Sequence, residues 1–279
     1  MSKNLSAVAV TQFGSEVKHA YQGSGRLRNK VTLRTGVVGD TYKFRLMGKG
    51  IANQKATAAD VTPMDISHSL PYATLSNWNA PEYTDIFDAS EVNFDEKAQL
   101  ATTIGKALSR REDQLIIAQL TAGTYNTTAT DGQGFSLAAG GTGFTFEKLL
   151  ALKAYYADLE IDEMPCICVE GAALQDLLSE QELTSADYQN VKGLVNGTLE
   201  NSTAMGFEFI TIGSRRAEGG LGGSAYSFVK SAVGHAVGKV DHMVDVNWVP
   251  QKTAWLANGM LKAGSVLIDP EGTAKIAYA

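Results

Sequence analysis

The sequence predicts an α+β fold strung along one long helix, with an arm and a two-stranded ribbon reaching out from a compact body. Three observations carry this. Residues 93–123, NFDEKAQLATTIGKALSRREDQLIIAQLTAG, repeat apolar or small side chains close to period 3.6. Residues 37–77 hold strand-like stretches on either side of a small, polar tip. Residues 144–240 read as helix, strand, helix, strand, strand, and residues 241–279 as strands alone.

The helix is predicted over 94–122. Asn93 can cap it, with Glu96 at the capping-box position three residues on, and Asp95 and Glu96 suit the positive end of the helix dipole. Its apolar series is Phe94, Ala98, Ala101, Ile104, Leu108, Leu115, Ala118 and Leu120, and Gly123 is a natural stop. Lys97, Lys106, Arg110, Arg111, Glu112 and Asp113 are assigned to the polar side. A helix of this length spans about 45 Å, a spine on which other pieces can be laid.

Before the helix, residues 1–36 are polar and basic and lack a core pattern, so they read as an extended arm. Tyr21, Leu27, Val31 and Leu33 argue against a fully disordered tail, because they need something to pack on. In the ribbon, Tyr42, Phe44 and Leu46 fall on one face and Lys43 and Arg45 on the other; GKGIANQKATAAD makes the tip and MDISHSLPYATLSNW returns. A two-stranded ribbon is marginal alone in water, so this one wants a partner surface, and another subunit can supply it. Residues 78–92 form an acidic connection carrying Trp78, Tyr83 and Phe87.

After the helix, residues 124–143, rich in Thr and Gly, read as a surface loop or loose hairpin. FTFEKLLALKAYYADLEI places Leu149, Leu152, Tyr156 and Leu159 on one helical face; PCICVEG and GFEFITIGS read as strands; 172–179 is a short helix. The stretch 180–205 loses all periodicity and RRAEGGLGGS is a glycine-rich loop, whereas SAYSFVKSAVGHAVGK is a strand or strand pair. The strands of 241–279 cannot form a core alone and are expected to return beside the long helix.

Composition narrows the function classes. The 279 residues, 44% hydrophobic, suit a globular protein with one large core or two small ones. No run of 18 apolar residues occurs, and MSKNLSAVAVTQFG lacks an apolar core with a cleavage site, so neither a membrane span nor a signal peptide is expected. The net charge of −6 hides an asymmetry: residues 1–55 carry 10 bases and 2 acids, and the remainder 14 bases and 28 acids. A basic arm on an acidic body can dock on copies of itself or meet nucleic acid. A chain this acidic is not built for DNA binding as its main task.

No phosphate-binding loop is present, since Gly48-Lys49 and Gly105-Lys106 lack the earlier glycine and the following hydroxyl. GSGRLRNK lacks the third glycine of a dinucleotide fingerprint, and neither HExxH nor GxSxG occurs. Cys166 and Cys168, two apart on a strand, read as buried thiols rather than a zinc site. His19, His68, His235 and His242 are scattered, and the carboxylate pairs Asp95-Glu96 and Asp162-Glu163 sit where helix ends explain them. No catalytic, cofactor-binding or metal-ligating residue is assigned, no cofactor is expected, and an enzyme is not expected.

The order of these pieces, with FGSEVKHAYQGSGRLRNKV, GVVGDTYKFRLMGKGIANQKA and DEKAQLATTIGKALSRREDQLIIAQL, resembles the major capsid proteins of tailed bacteriophages with the Hong Kong 97-type fold. The likeness is strongest over about residues 10–120 and mostly architectural beyond 144. It implies an N-terminal arm at 1–36 and an extended loop at 37–77 lying over a neighbouring subunit. It implies a peripheral domain at 78–143 plus 241–279 holding the spine helix, and an axial domain at 144–240. Residues 180–205 and 214–224 are the candidates for the tip near the symmetry axis.

The implied function is self-assembly into the icosahedral shell around a phage genome, in the virion, with assembly in the host cytoplasm. The implied partners are copies of the chain as pentamers and hexamers, a portal protein and packaged double-stranded DNA held by weak non-specific contact. A separately encoded scaffolding protein is also expected; a cement protein stays open, and no membrane is expected. Some relatives crosslink through a lysine–asparagine isopeptide bond. Lys49 and Lys55 lie in the corresponding loop, but a solvated charge or a salt-bridge partner is the role expected of both. The alternatives are an encapsulin-like nanocompartment shell, a soluble α/β enzyme with a deep polar pocket, and a tail or adhesin protein, against which the lack of internal repeats counts.

Overall fold

The structure is a computed structural model that describes residues 24–58, 60–85, 96–128, 132–179, 203–213 and 220–279. Among these residues it has three α-helices and four sheets, the two large ones being mixed. The long helix, α1, runs Glu96–Ala122, about 40 Å. The cap expected at Asn93 and the first apolar position, Phe94, lie outside the described residues.

One large sheet is organised by a single 14-residue strand, β15 (Ala254–Leu267). Strand β14 (Met243–Val249) pairs antiparallel with Ala254–Met260 and β6 (Ser76–Asp85) antiparallel with Ala254–Ala263, so they lie on opposite sides of β15. Further along, β13 (Val233–Gly238) pairs antiparallel with β15, and β1 (Thr32–Val37) pairs parallel with β13. The sequence treats residues 78–92 as a connection; through Asp85 they are instead a strand in register with Ala254–Ala263. Pro81 fits there because β6 is an edge strand.

The other large sheet has seven strands in the order β10-β11-β9-β12-β16-β8-β7. These are β10 (Thr203–Ala204), β11 (Phe207–Thr211), β9 (Cys166–Val169), β12 (Ser224–Phe228), β16 (Thr273–Ala277), β8 (Gly134–Leu137) and β7 (Tyr125–Asn126). Every residue of β9 and β12 is buried, as in a sheet covered on both faces. Helix α2 (Phe146–Asp158) contributes Leu149, Leu152, Tyr155 and Tyr156 to the core, and α3 (Gly171–Ser179) contributes Ala173 and Leu177.

Strand membership departs from the sequence reading at three places. The Thr- and Gly-rich stretch after α1 is not only surface: β7 and β8 join the seven-stranded sheet, with β8 parallel to β16. The last strand, β16, joins that sheet and not the one beside α1, pairing with β12 and β8. Conversely β13, read with the α/β domain, belongs to the sheet beside α1. Short strands with buried small residues carry no mark of which sheet will pair them. That choice falls to long-range register.

Helix α1 serves two cores. Its first half sends Ile104 and Leu108 onto Val237, Ala257, Leu261 and Ala263 of the five-stranded sheet. Its second half sends Ile116, Ile117 and Leu120 into the large core of the seven-stranded sheet. Leu27 and Val31, read as part of an arm, also lie in that large core, so the chain from residue 24 onward is part of the body. The expected apolar series is right at Ile104, Leu108 and Leu120, but Ala118 is exposed and Ile116 takes the buried place.

The packing of α1 on β15 is close: a Cβ built on Gly259 would stand 2.2 Å from Ile104 Cγ2. Nothing at that contact can solvate a charge. Ile104→Asp should therefore remove soluble, cooperatively melting protein, because an unpaired carboxylate would be buried. Ile104→Val should cost only about 0.5–1.5 kcal/mol in urea denaturation.

A buried charge junction and an outstretched ribbon

Two features stand apart from ordinary core packing. The first is a cluster of charge inside the body. Glu112 and Asp113 are 1% and 0% exposed, although sequence reading puts both on the polar side of α1. Helical spacing explains Glu112: Ile104, Leu108, Glu112, Ile116 and Leu120 form one unbroken i, i+4 stripe. Glu112 stands in the middle of the apolar face, at the point where α1 passes from one core to the other.

Burying two adjacent carboxylates demands partners, and the segment before β1 brings them. The Asp113 carboxylate accepts the backbone N–H of Arg26 at 3.0 Å on each oxygen and that of Leu27 at 2.9 Å. Arg28 donates to Glu112 Oε1 at 2.7 Å and grips Asp241 with two bonds of 2.9 and 2.6 Å. Gly25 runs so near α1 that a Cβ there would come 2.6 Å from the Ser109 carbonyl oxygen.

The same segment reaches the seven-stranded sheet. The Arg26 guanidinium donates to the carbonyl and hydroxyl of Thr211 on β11 at 3.1 and 2.7 Å, and Lys30 pairs with Glu208 on the same strand. Residues 24–31 thus strap α1 to both sheets.

Two of the four histidines close the cluster. His235 on β13 is fully buried, with Nδ1 2.8 Å from Ser265 Oγ and Nε2 3.4 Å from Glu112 Oε1. His242 Nε2 lies 3.1 Å from Glu112 Oε2 without the direction of a good hydrogen bond. Their convergence is invisible in the sequence, where 123 residues separate Glu112 from His235. His68 is exposed on the ribbon, and His19 lies outside the described residues. Ligand atoms of Glu112, Asp241 and His242 lie within 4.8 Å of one another, close enough to share a cation. The Arg28 guanidinium already bonds both carboxylates and occupies the cation's place.

Burial by itself would raise the pKa of Glu112. The hydrogen bond with His235, the close approach of His242 and the charge of Arg28 outweigh it and hold this carboxyl far below its ordinary 4.5. Cys166 and Cys168 are buried and unbridged, and burial with Glu208 nearby pushes the Cys166 thiol up to about 12. Such a thiol is inert.

The second feature is the ribbon. Strands β2 (Thr41–Lys43) and β5 (Tyr72–Thr74) pair antiparallel, as do β3 (Leu46–Met47) and β4 (His68–Ser69). At its root Phe44, Ala73 and Leu75 pack on Ala236, the one place among the described residues where the ribbon has a core. Beyond the root its apolar side chains face outward: Met47, Ile51, Val61, Met64, Leu70 and Tyr72 are 51–81% exposed. Lys55 is exposed at the tip, and Lys49 lies 2.5 Å from Glu271 of the body. The axial-tip candidates 180–205 and 214–224 lie mostly outside the described residues.

Comparison with family models decides what these features belong to: the phage capsid protein family matches residues 5–279. The chain belongs to that family. No curated protein matches it in sequence. Among solved structures, the capsid of cyanophage P-SCSP1u is 17% identical over 98% of this chain and 94% of its own, with a TM-score of 0.73. The structure of Mycobacterium phage Che8 is 15% identical over 96% and 97%, with a TM-score of 0.72. The capsid of a native GTA particle is 14% identical over 100% and 99%, with a TM-score of 0.73. Capsid proteins with almost no shared sequence therefore keep this fold from end to end.

The buried carboxylate sets a pH dependence. Because the Glu112 pKa is depressed in the folded chain, its stabilising contribution is complete above 4.5 and is lost progressively as pH falls below that value. Urea denaturation of the subunit from pH 7 to pH 3 should show stability falling below about pH 4.5. Glu112→Gln should lower stability at pH 7 and flatten the acid slope.

Proposed function

We propose that this chain is the repeating subunit of a tailed-phage head, a structural protein whose task is to make contacts with copies of itself. The family match over residues 5–279 carries the reading. The physical support is the ribbon, which holds apolar side chains out in water with no core beyond its root. An exposed apolar surface of this kind marks an interaction site.

In this reading the ribbon at 37–77 lies over a neighbouring subunit; the arm expected at 1–36 lies outside the described residues as far as residue 23. Residues 78–143 with 241–279 form the peripheral domain around the spine helix, and 144–240 the axial domain around the five-fold and six-fold axes. Strands β7, β8, β13 and β16 cross this division, so the two domains share sheets. Pentamers and hexamers close into an icosahedral shell when head-to-tail contacts carry the right curvature. Individual contacts can be weak, since arm, ribbon and domain edges act together on one subunit.

The portal vertex, a separate scaffolding protein and the packaged double-stranded DNA complete the assembly, which takes place in the host cytoplasm. The body from residue 56 onward carries 28 acids against 14 bases, which limits how firmly DNA phosphates adhere to it.

Deleting residues 49–59 removes the outer ribbon and leaves all three cores intact. The expected product is a folded subunit with unchanged melting that forms no stable closed shells in negative-stain electron microscopy. Normal shells from this variant would remove the ribbon from the assembly mechanism.

A further inference from the structure

Glu271 stands where three segments of the chain meet. It lies in the tight turn Pro270–Gly272 between β15 and β16. Its Oε1 accepts the N–H of Gly132, from the β7–β8 connection, at 2.8 Å. Its Oε2 lies 2.5 Å from Lys49 Nζ on the ribbon. The body holds Glu271 in place by other bonds: Asp269 accepts its N–H at 3.1 Å, and Tyr155 donates its hydroxyl to its carbonyl at 2.8 Å.

The two partners differ in footing. The Glu271 side chain is 15% exposed and that of Lys49 is 73% exposed. Lys49 follows directly on the last rung of the ribbon, where Gly48 N–H donates to the Ser67 carbonyl at 2.8 Å. The pair also spans open space. A cleft of about 750 Å³ separates the ribbon at Leu46–Lys49 and Ser67–Pro71 from the body at Leu267–Glu271. A second cleft of about 340 Å³, lined by Asp162, Glu163, Asp269 and Glu271, also borders Lys49. At this level the ribbon is tied to its own subunit across water by an ion pair, not packed onto it.

We propose that Glu271 is a catch for the ribbon: it holds the ribbon against its own subunit until a neighbouring copy draws Lys49 away. This rests on the reading of the ribbon as an inter-subunit contact. An exposed ion pair is weak enough to exchange. The acidic body of a second copy offers carboxylates in return. Gly132 keeps Glu271 held when Lys49 leaves, so release of the ribbon does not dismantle the turn.

The test uses the full chain kept unassembled at low concentration, with trypsin cleavage after Lys55 followed by mass spectrometry. Glu271→Gln and Lys49→Gln should each raise that cleavage rate about two- to five-fold, the range an exposed ion pair supports. Lys49→Gln leaves the Glu271–Gly132 bond intact and so isolates the catch from damage to the turn. Combining Lys49→Glu with Glu271→Lys should return the rate toward that of the parent chain. Unchanged cleavage in Lys49→Gln, or a charge-swapped chain no better protected than Glu271→Lys alone, would overturn the catch. That result leaves the capsid reading standing, whereas normal shells from the ribbon deletion would overturn the inter-subunit contact on which the catch rests and leave the Lys49–Glu271 cleavage result as measured.

Discussion

Two neighbouring carboxylates buried in the middle of a helix govern how this molecule is put together. A buried charge must be paired and hydrogen-bonded, and breaking such a pair costs far more than omitting it from the start. Glu112 and Asp113 therefore impose conditions on chain far away in sequence. Asp113 fixes the path of residues 26 and 27, and Glu112 fixes Arg28 and, through it, Asp241. Because Arg26 and Lys30 also hold β11, the demand of one helical position becomes a tie between both sheets.

This arrangement gives a cross-braced body from which the ribbon departs. The junction lies where α1 hands over from the smaller core to the larger, the place at which two half-bodies could otherwise hinge. Residues 26–28 are fastened at that same place by Asp113 and Glu112. The ribbon leaves from the other side of β13 and β15, anchored by Phe44 and Leu75 and tied at Lys49. A shell subunit needs both properties: a body whose shape sets curvature, and projections whose apolar surface is completed by sister copies.

How far the residues foretold this differs with the range of the interaction. The helix, the ribbon's alternation and the buried strand of Cys166 and Cys168 were legible because each rests on spacing within a dozen residues. Leu27 and Val31 announced a need for packing but not its address. Glu112 left a trace, since the i, i+4 stripe from Ile104 to Leu120 runs through it. A charged residue on such a stripe is easily assigned to the wrong face when hydrophobicity alone is counted.

By itself the sequence determined the long helix, the outstretched ribbon, the buried strand of Cys166 and Cys168 and a resemblance to capsid proteins that the family match bears out. Only the tertiary structure decided which sheet receives β8, β13 and β16, and that Arg28, Glu112, Asp241, His235 and His242 meet at one site. The reason is physical. Local periodicity records which face of an element avoids water, whereas pairing partners and charge compensation come from residues tens to hundreds of positions away. Their meeting is fixed only when the whole chain closes.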